Sequence, residues 1–302
     1  VPNSYPSIWS QVDLARNYYE KTNISPGTID LILVDGGIND MSGVKILMPF
    51  FGGDISEHAE TYCHEPMKKL LNKIALGRNF PNARIVVTGY FPLISKHTPR
   101  TFLFQTIRAV FPTHIFAPGS ERAILNPSAE VSRLRKGTFR KFEDLSSRSA
   151  LWKEASDRQL QNAVSEFNST QPARLLRSAT PLPIEAALPA LFVSIPFADE
   201  NAYAAGEKSF LWQLISKTPG FEFSCPRQRS LLARLLGNLI VNDEQQTVRP
   251  CTCIAAERAK GGTGVTCFRA GAFHPNKNGA GAYYVAIKER LEKIWPSANW
   301  AP

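Results

Sequence analysis

The chain of 302 residues carries 35 Lys and Arg against 26 Asp and Glu, a net charge of +9, and 43% of its residues are hydrophobic. That composition belongs to a globular protein with a substantial core; it excludes a disordered chain and leaves room for one large domain or two small ones. The longest apolar stretch, Leu182 to Ala198, is interrupted by Pro183, Glu185, Pro189 and Pro196, so no segment approaches the roughly 20 apolar residues of a membrane span.

Residue 1 is Val, and no charged-then-apolar leader follows it, which predicts a processed terminus or a cut through a longer protein. Ser7 to Glu20 reads as a helix with Ile8, Val12, Ala15 and Tyr19 on one face, and Ile29 to Val34 as a buried strand. Glu57 to Leu76 reads as mostly helical, with a kink at Pro66. A second buried strand runs from Ala83 in "ARIVVTGYFP", closed by Gly89 and Pro92. Two buried strands separated by a helix imply a βαβ unit and a parallel sheet.

Further on, the pattern predicts a helix at Thr101 to Val110. The basic run Arg133, Arg135, Lys136, Arg140 and Lys141 lacks apolar periodicity and reads as a solvated loop. A longer helix from about Ser146 to Asn168 places Trp152, Ala155, Gln159, Ala163 and Phe167 on one stripe, and "ALFVSIPF" from Ala190 is a third strand. A helix near Arg227 to Ile240, an irregular Cys- and Gly-containing segment and a last helix from about Lys277 to Trp295 follow. The last helix offers Ala280, Tyr284, Ile287, Leu291 and Ile294 for packing on a sheet. The whole predicts one α/β domain over residues 1–302, with a long insertion at about 96–188. Its expected form is a doubly wound parallel sheet in a flavodoxin-like, three-layer αβα sandwich.

Cys-Thr-Cys at 251 to 253 lacks the paired spacing of structural zinc sites, and with Cys225 and Cys267 nearby it points to loop disulfides rather than metal. Sequons at Asn23 and Asn168 agree with an extracellular or secreted protein. Neither a zinc-finger spacing nor an RNP-like aromatic motif accompanies the basic run, so nucleic acid is not an expected partner. The "GGTG" at Gly261 to Gly264 is neither a P-loop nor a dinucleotide fingerprint, and no cofactor is expected.

Two short segments can carry chemistry. "IDLILVDGGIND" ends an apolar strand in Gly36, Gly37, Asn39 and Asp40, at the strand end where open parallel sheets bind ligands. There a sharp turn can present an amide to a developing negative charge, or simply cap the next segment. In "AFHPNKNGAGAYY", Pro275 keeps His274 off the following helix, on a loop where an imidazole can accept a proton. His58, His64, His97 and His114 have no comparable context.

Together these segments resemble the SGNH (GDSL-type) hydrolases. "VDGGIND" is similar to that family's third block, Gly-x-Asn-Asp, and "FHPNKNGAGAY" to its fifth, with "VVTGYFPLIS" between them similar in type and order. The resemblance extends from about Trp9 to Ile294 and is sharp in those segments. It implies a serine ester hydrolase acting on a small-molecule, lipid or carbohydrate ester, without metal or cofactor. His274 is then the general base, Asn39 the side-chain donor of the oxyanion hole, and Gly37 and Asp40 members of the turn that presents it.

The chain departs from the family in two places. No Gly-Asp-Ser occurs in it, so the nucleophilic Ser and the first strands are expected upstream of residue 1, leaving the chain as given inactive. Near the start, Asn3 or Ser4 stands about where the second block has its oxyanion Gly, and Ser4 is a poor substitute nucleophile because no strand precedes it. Gly271 occupies the place of the carboxylate that normally orients the His. The same departures suit the alternative reading, a non-catalytic binding module on a degenerate hydrolase fold.

Overall fold

The computed structural model describes residues 8–36, 43–76, 79–80, 82–110, 127–170, 189–211 and 274–294. Among them, β1 (Leu31–Val34), β2 (Arg84–Thr88) and β3 (Ala190–Val193) form one open, parallel sheet in the order β1-β2-β3. The fold is α/β, as the βαβ pattern predicts. In register, Leu31 faces Arg84 and Val34 faces Val87, while Ile85 faces Ala190 and Thr88 faces Val193. β2 is paired on both sides, which is why it reads as a continuous apolar run: Ile85, Val86 and Val87 are buried in the core. β1 has β2 on one side only among the described residues, and Leu33 in its middle is 56% exposed.

The helices are α1 (Ile8–Lys21), α2 (Val44–Leu47), α3 (Ile55–Ala59), α4 (Glu65–Leu76), α5 (Arg100–Val110), α6 (Pro127–Arg140), α7 (Phe142–Thr170) and α8 (Lys277–Ile294). α7, the longest, packs on β3 and on α2, α3, α4 and α6. Its buried stripe contains the expected Trp152, Ala155, Ala163 and Phe167, extended by Leu145, Ser149, Ser156 and Leu160. The small members let neighbouring backbone approach, and the Ile94 N–H donates to Ser149 Oγ at 3.1 Å. At the far end, Asn168 extends the edge of β3. Its Nδ2 donates to Ala190 O (2.9 Å), and Ala190 N donates to its Oδ1 (3.1 Å). The sequon amide at Asn168 is thus committed to backbone.

Three expectations need correcting. The helix predicted to kink at Pro66 has its irregularity one turn earlier, as a π turn over Glu60–His64 between α3 and α4. Pro66 has no N–H for the carbonyl four residues back, and widening the preceding turn absorbs that defect. The basic run predicted as a solvated loop is helical: Val131, Leu134 and Thr138 of α6 supply a sparse inward face, with Leu134 and Thr138 buried. On α8 Ile287, Leu291 and Ile294 of the predicted stripe pack inward, but Ala280 and Tyr284 do not. Tyr284 is 51% exposed, whereas Tyr283 packs inward with Leu291 and Ile294. Gly279 sets this rotation, because a Cβ there would overlap Phe210 O.

The predicted helix near Arg227 to Ile240, and Cys225, Cys251, Cys253 and Cys267, lie outside the described residues; Cys63 is buried within the π turn. No helix among the described residues is long and apolar enough to cross a membrane. Trp152 is fully buried, 6.2 Å from the Tyr90 ring between centroids, and its indole N–H finds no acceptor among the described residues. Trp152→Ala is therefore expected to cost about 3–5 kcal/mol, and Trp152→Phe far less, in urea unfolding followed by circular dichroism.

Candidate functional site

Open parallel sheets bind ligands outside the carboxyl ends of their strands, and the described loops converge on that edge. Asp35 and Gly36 leave β1, Gly89 leaves β2 and Ser194 leaves β3. The loops after β2 and β3 are joined by an aromatic cluster, in which Phe91 stands 6.0 Å from Phe197, 5.2 Å from Phe210 and 5.0 Å from Tyr283 between ring centroids. Hydrogen bonds reinforce this: Tyr203 N donates to Leu93 O (3.1 Å), Thr98 Oγ1 to Tyr203 O (2.8 Å), and Thr106 Oγ1 pairs with the Tyr203 hydroxyl at 2.6 Å. The edge is a built surface.

A polar cluster sits at its centre. Ser194 Oγ donates to Asp157 Oδ2 at 2.5 Å, and Lys153 Nζ donates to the same oxygen at 2.7 Å and to Ser194 Oγ at 3.3 Å. Asp157 Oδ1 is buried against Gly89 and finds no hydrogen-bond donor among the described residues. From α8, the Tyr283 hydroxyl donates to Gly89 O at 2.9 Å. Burial pushes the Tyr283 phenol up, and the negative charges of Asp35 and Asp157 push it further the same way. Tyr283 is therefore a neutral donor. Asp35 is exposed as a whole residue, yet protein crowds its carboxyl and that burial pushes it up to about 6.

His274 is exposed and stands on the segment leading into α8. Pro275 forms an isolated antiparallel bridge with Leu211, and Asn276 binds the same post-β3 loop: its N–H donates to Phe210 O (2.8 Å) and its Nδ2 to Ser209 O (2.6 Å). Asn276 Oδ1 in turn accepts from Gly279 N at 3.0 Å, capping α8. Thus His-Pro-Asn works locally as loop, stop and cap. Gly37, Asn39 and Asp40, like Asn3, Ser4 and Gly271, lie outside the described residues.

Sequence reasoning missed Lys153, Asp157, Ser194 and Tyr283, which come together only in the folded chain. Asp35 carried a local signal, an acid closing an apolar strand directly before the glycines. A separate group, His64, Glu65 and Glu166, has ligand-type atoms within 4.8 Å of one another. Lys68 already supplies the cation there, donating to Glu65 Oε1 at 2.5 Å and Glu166 Oε2 at 3.0 Å, and it holds both carboxyls below their usual range. With His64 Nε2 at 3.0 Å from Glu166 Oε1, this is an ion-pair clamp between α4 and α7.

No protein-family model matches the chain, and neither a curated protein nor a solved structure does.

Two outcomes test the edge. A Cβ at Gly89 would overlap Asp157 Oδ1, so Gly89→Ala is expected to destabilise by about 1–3 kcal/mol in a urea titration. The raised Asp35 carboxyl makes the folded state bind its proton more tightly than the unfolded chain does, between 3.8 and about 6. Its stabilising contribution is complete below that window and lost as pH rises through about 6. Asp35→Asn should therefore gain thermal stability relative to the parent above pH 6 and lose that gain towards pH 4, with the difference reduced by the exposure of the residue.

Proposed function

We propose that the chain carries most of a serine ester hydrolase of the SGNH type, with its nucleophilic Ser on a segment upstream of Val1. The observation that carries this reading is the shared edge: Asp35 and Gly36, which open the "DGGIND" segment, leave β1 at its carboxyl end, and the loops at the carboxyl ends of β2 and β3 hold the segment bearing His274. The Ser hydroxyl attacks the ester carbonyl while His274 takes its proton, and Asn39 with backbone N–H groups receives the oxyanion. His274 then returns the proton to the leaving alcohol and activates the water that hydrolyses the acyl-enzyme. Exposure of His274 suits that exchange.

The finer fold belongs to the same proposal. In a doubly wound sheet of order 2-1-3-4-5 the last three strands are consecutive neighbours, which agrees with β1-β2-β3, and the exposed Leu33 agrees with further cover on β1. A second reading, a binding module without catalysis, is favoured by Gly271 in place of the orienting acid and by the lack of Gly-Asp-Ser.

A fluorophosphonate probe and a p-nitrophenyl ester applied to the full natural chain separate the two. The hydrolase reading expects covalent labelling of a Ser and ester turnover. It also expects a loss of about a millionfold in His274→Ala and of about a hundred- to thousandfold in Asn39→Ala. An unlabelled chain without turnover transfers the assignment to the binding module, and turnover that survives His274→Ala removes His274 as the base.

A further inference from the structure

The face of α6 turned away from the core carries a basic stripe that ester hydrolysis does not use. Leu134 and Thr138 lie on the packed side, at 2% and 0% exposure. At about 100° per residue, Arg133, Lys136 and Arg140 fall on the opposite side, and all three are exposed, as is Lys141 at the helix end. Lys136, Arg140 and Lys141 have no carboxylate partner among the described residues. Other cations of the chain do: Lys68, Lys73, Arg100 and Lys208 each hold an acid.

An aromatic ring stands beside the stripe. Phe50 is 45% exposed, with the Arg133 guanidinium 4.5 Å from its ring centre. The ring crosses α6 at Gly137, where a Cβ would stand 2.7 Å from Phe50 Cζ. Arg148 Nη1 fixes the approach by donating to Met48 O at 2.9 Å.

We propose that this face, Arg133, Lys136, Arg140 and Lys141 with Phe50 at its side, docks the protein on an anionic lipid surface. The charges run along the outer side of a helix, a ridge that meets a flat layer of headgroups along its whole length. A single nucleic-acid strand instead requires a groove that follows its backbone, with stacking platforms in line. The apolar side of α6 is committed to the core, so the helix rests on the headgroups without inserting, and Phe50 supplies the apolar contact. Binding of this kind is electrostatic and falls with salt. Each basic group near such a surface strengthens it by about fivefold.

The test is cosedimentation of the protein with phosphatidylcholine vesicles, with and without about one third phosphatidylserine, at low and high salt. It reads binding without ester turnover, so its result is independent of the hydrolase reading. The expected result is binding that requires phosphatidylserine and disappears at high salt. Lys136→Glu with Arg140→Glu should weaken it by about a hundredfold or more, and Phe50→Ala should weaken it severalfold with the salt dependence unchanged. Lys21→Glu with Arg158→Glu makes the same charge change at exposed sites elsewhere and should have a much smaller effect. Equal losses in the two pairs, no binding to the anionic vesicles, or tighter binding to a single-stranded oligonucleotide each overturn the proposal. Unchanged circular dichroism melts exclude misfolding of the variants.

Discussion

Two-sided pairing of β2 is the constraint on which the rest of the structure depends. Ile85, Val86 and Val87 lie in the core, where an unpaired backbone N–H or carbonyl has no water to turn to and is costly. The requirement is met by β1 on one side and β3 on the other, both parallel to β2. Parallel neighbours cannot be joined by a tight turn, so the chain crosses over through helices each time. The segment with α2, α3 and α4 separates β1 from β2, and the segment with α5, α6 and α7 separates β2 from β3. All three strands then deliver their carboxyl ends to one edge.

How closely α7 can approach that edge is decided at Gly89. Its missing side chain lets the Asp157 carboxyl reach the end of β2, and that carboxyl brings Lys153 and Ser194 with it. The Lys153 and Asp157 side chains are 22% and 13% exposed, so the pair loses much of its hydration on folding. Such a pair adds little net stability where hydrophobic packing could replace it, but removing one partner leaves a charge stranded. Its effect here is positional: it ties the middle of α7 to the first residue beyond β3. Tyr283 completes the tie from α8 by donating to the carbonyl of the same glycine.

Features resting on local pattern were legible in the sequence; those resting on tertiary approach were not. The strands at Leu31, Arg84 and Ala190 were readable because buried parallel strands need unbroken apolar, β-branched runs. α7 was readable because its stripe repeats over many turns. α6 was not, because Val131, Leu134 and Thr138 give it so few inward positions and one of them is polar. On α8, Tyr283 and Tyr284 are neighbours of one type, and the choice between them rests on how closely Gly279 lets the helix meet Phe210 O. In the candidate site, the local segment His-Pro-Asn was legible, while the meeting of Asp157, Ser194 and Gly89 depends on residues far apart in the chain.

The His274 segment shows how placement and chemistry separate at such an edge. Backbone and amide bonds to Phe210 and Ser209, the Pro275 bridge to Leu211 and the Asn276 cap locate residue 274. The imidazole is left exposed. In a hydrolase, holding the base at the right place and holding it in the right tautomer are different tasks, and the second normally falls to a carboxylate. The bonds around His274, from backbone and from the Asn276 amide, serve the first task. On the proposed hydrolase reading, Gly271 in place of the carboxylate leaves tautomer control to a backbone carbonyl, to nothing in a Ser-His dyad, or to an acid from elsewhere in the fold. Asp35, on the same edge with a carboxyl pushed up to about 6, is poorly suited to it, because an orienting acid must stay ionised while the base gains its proton.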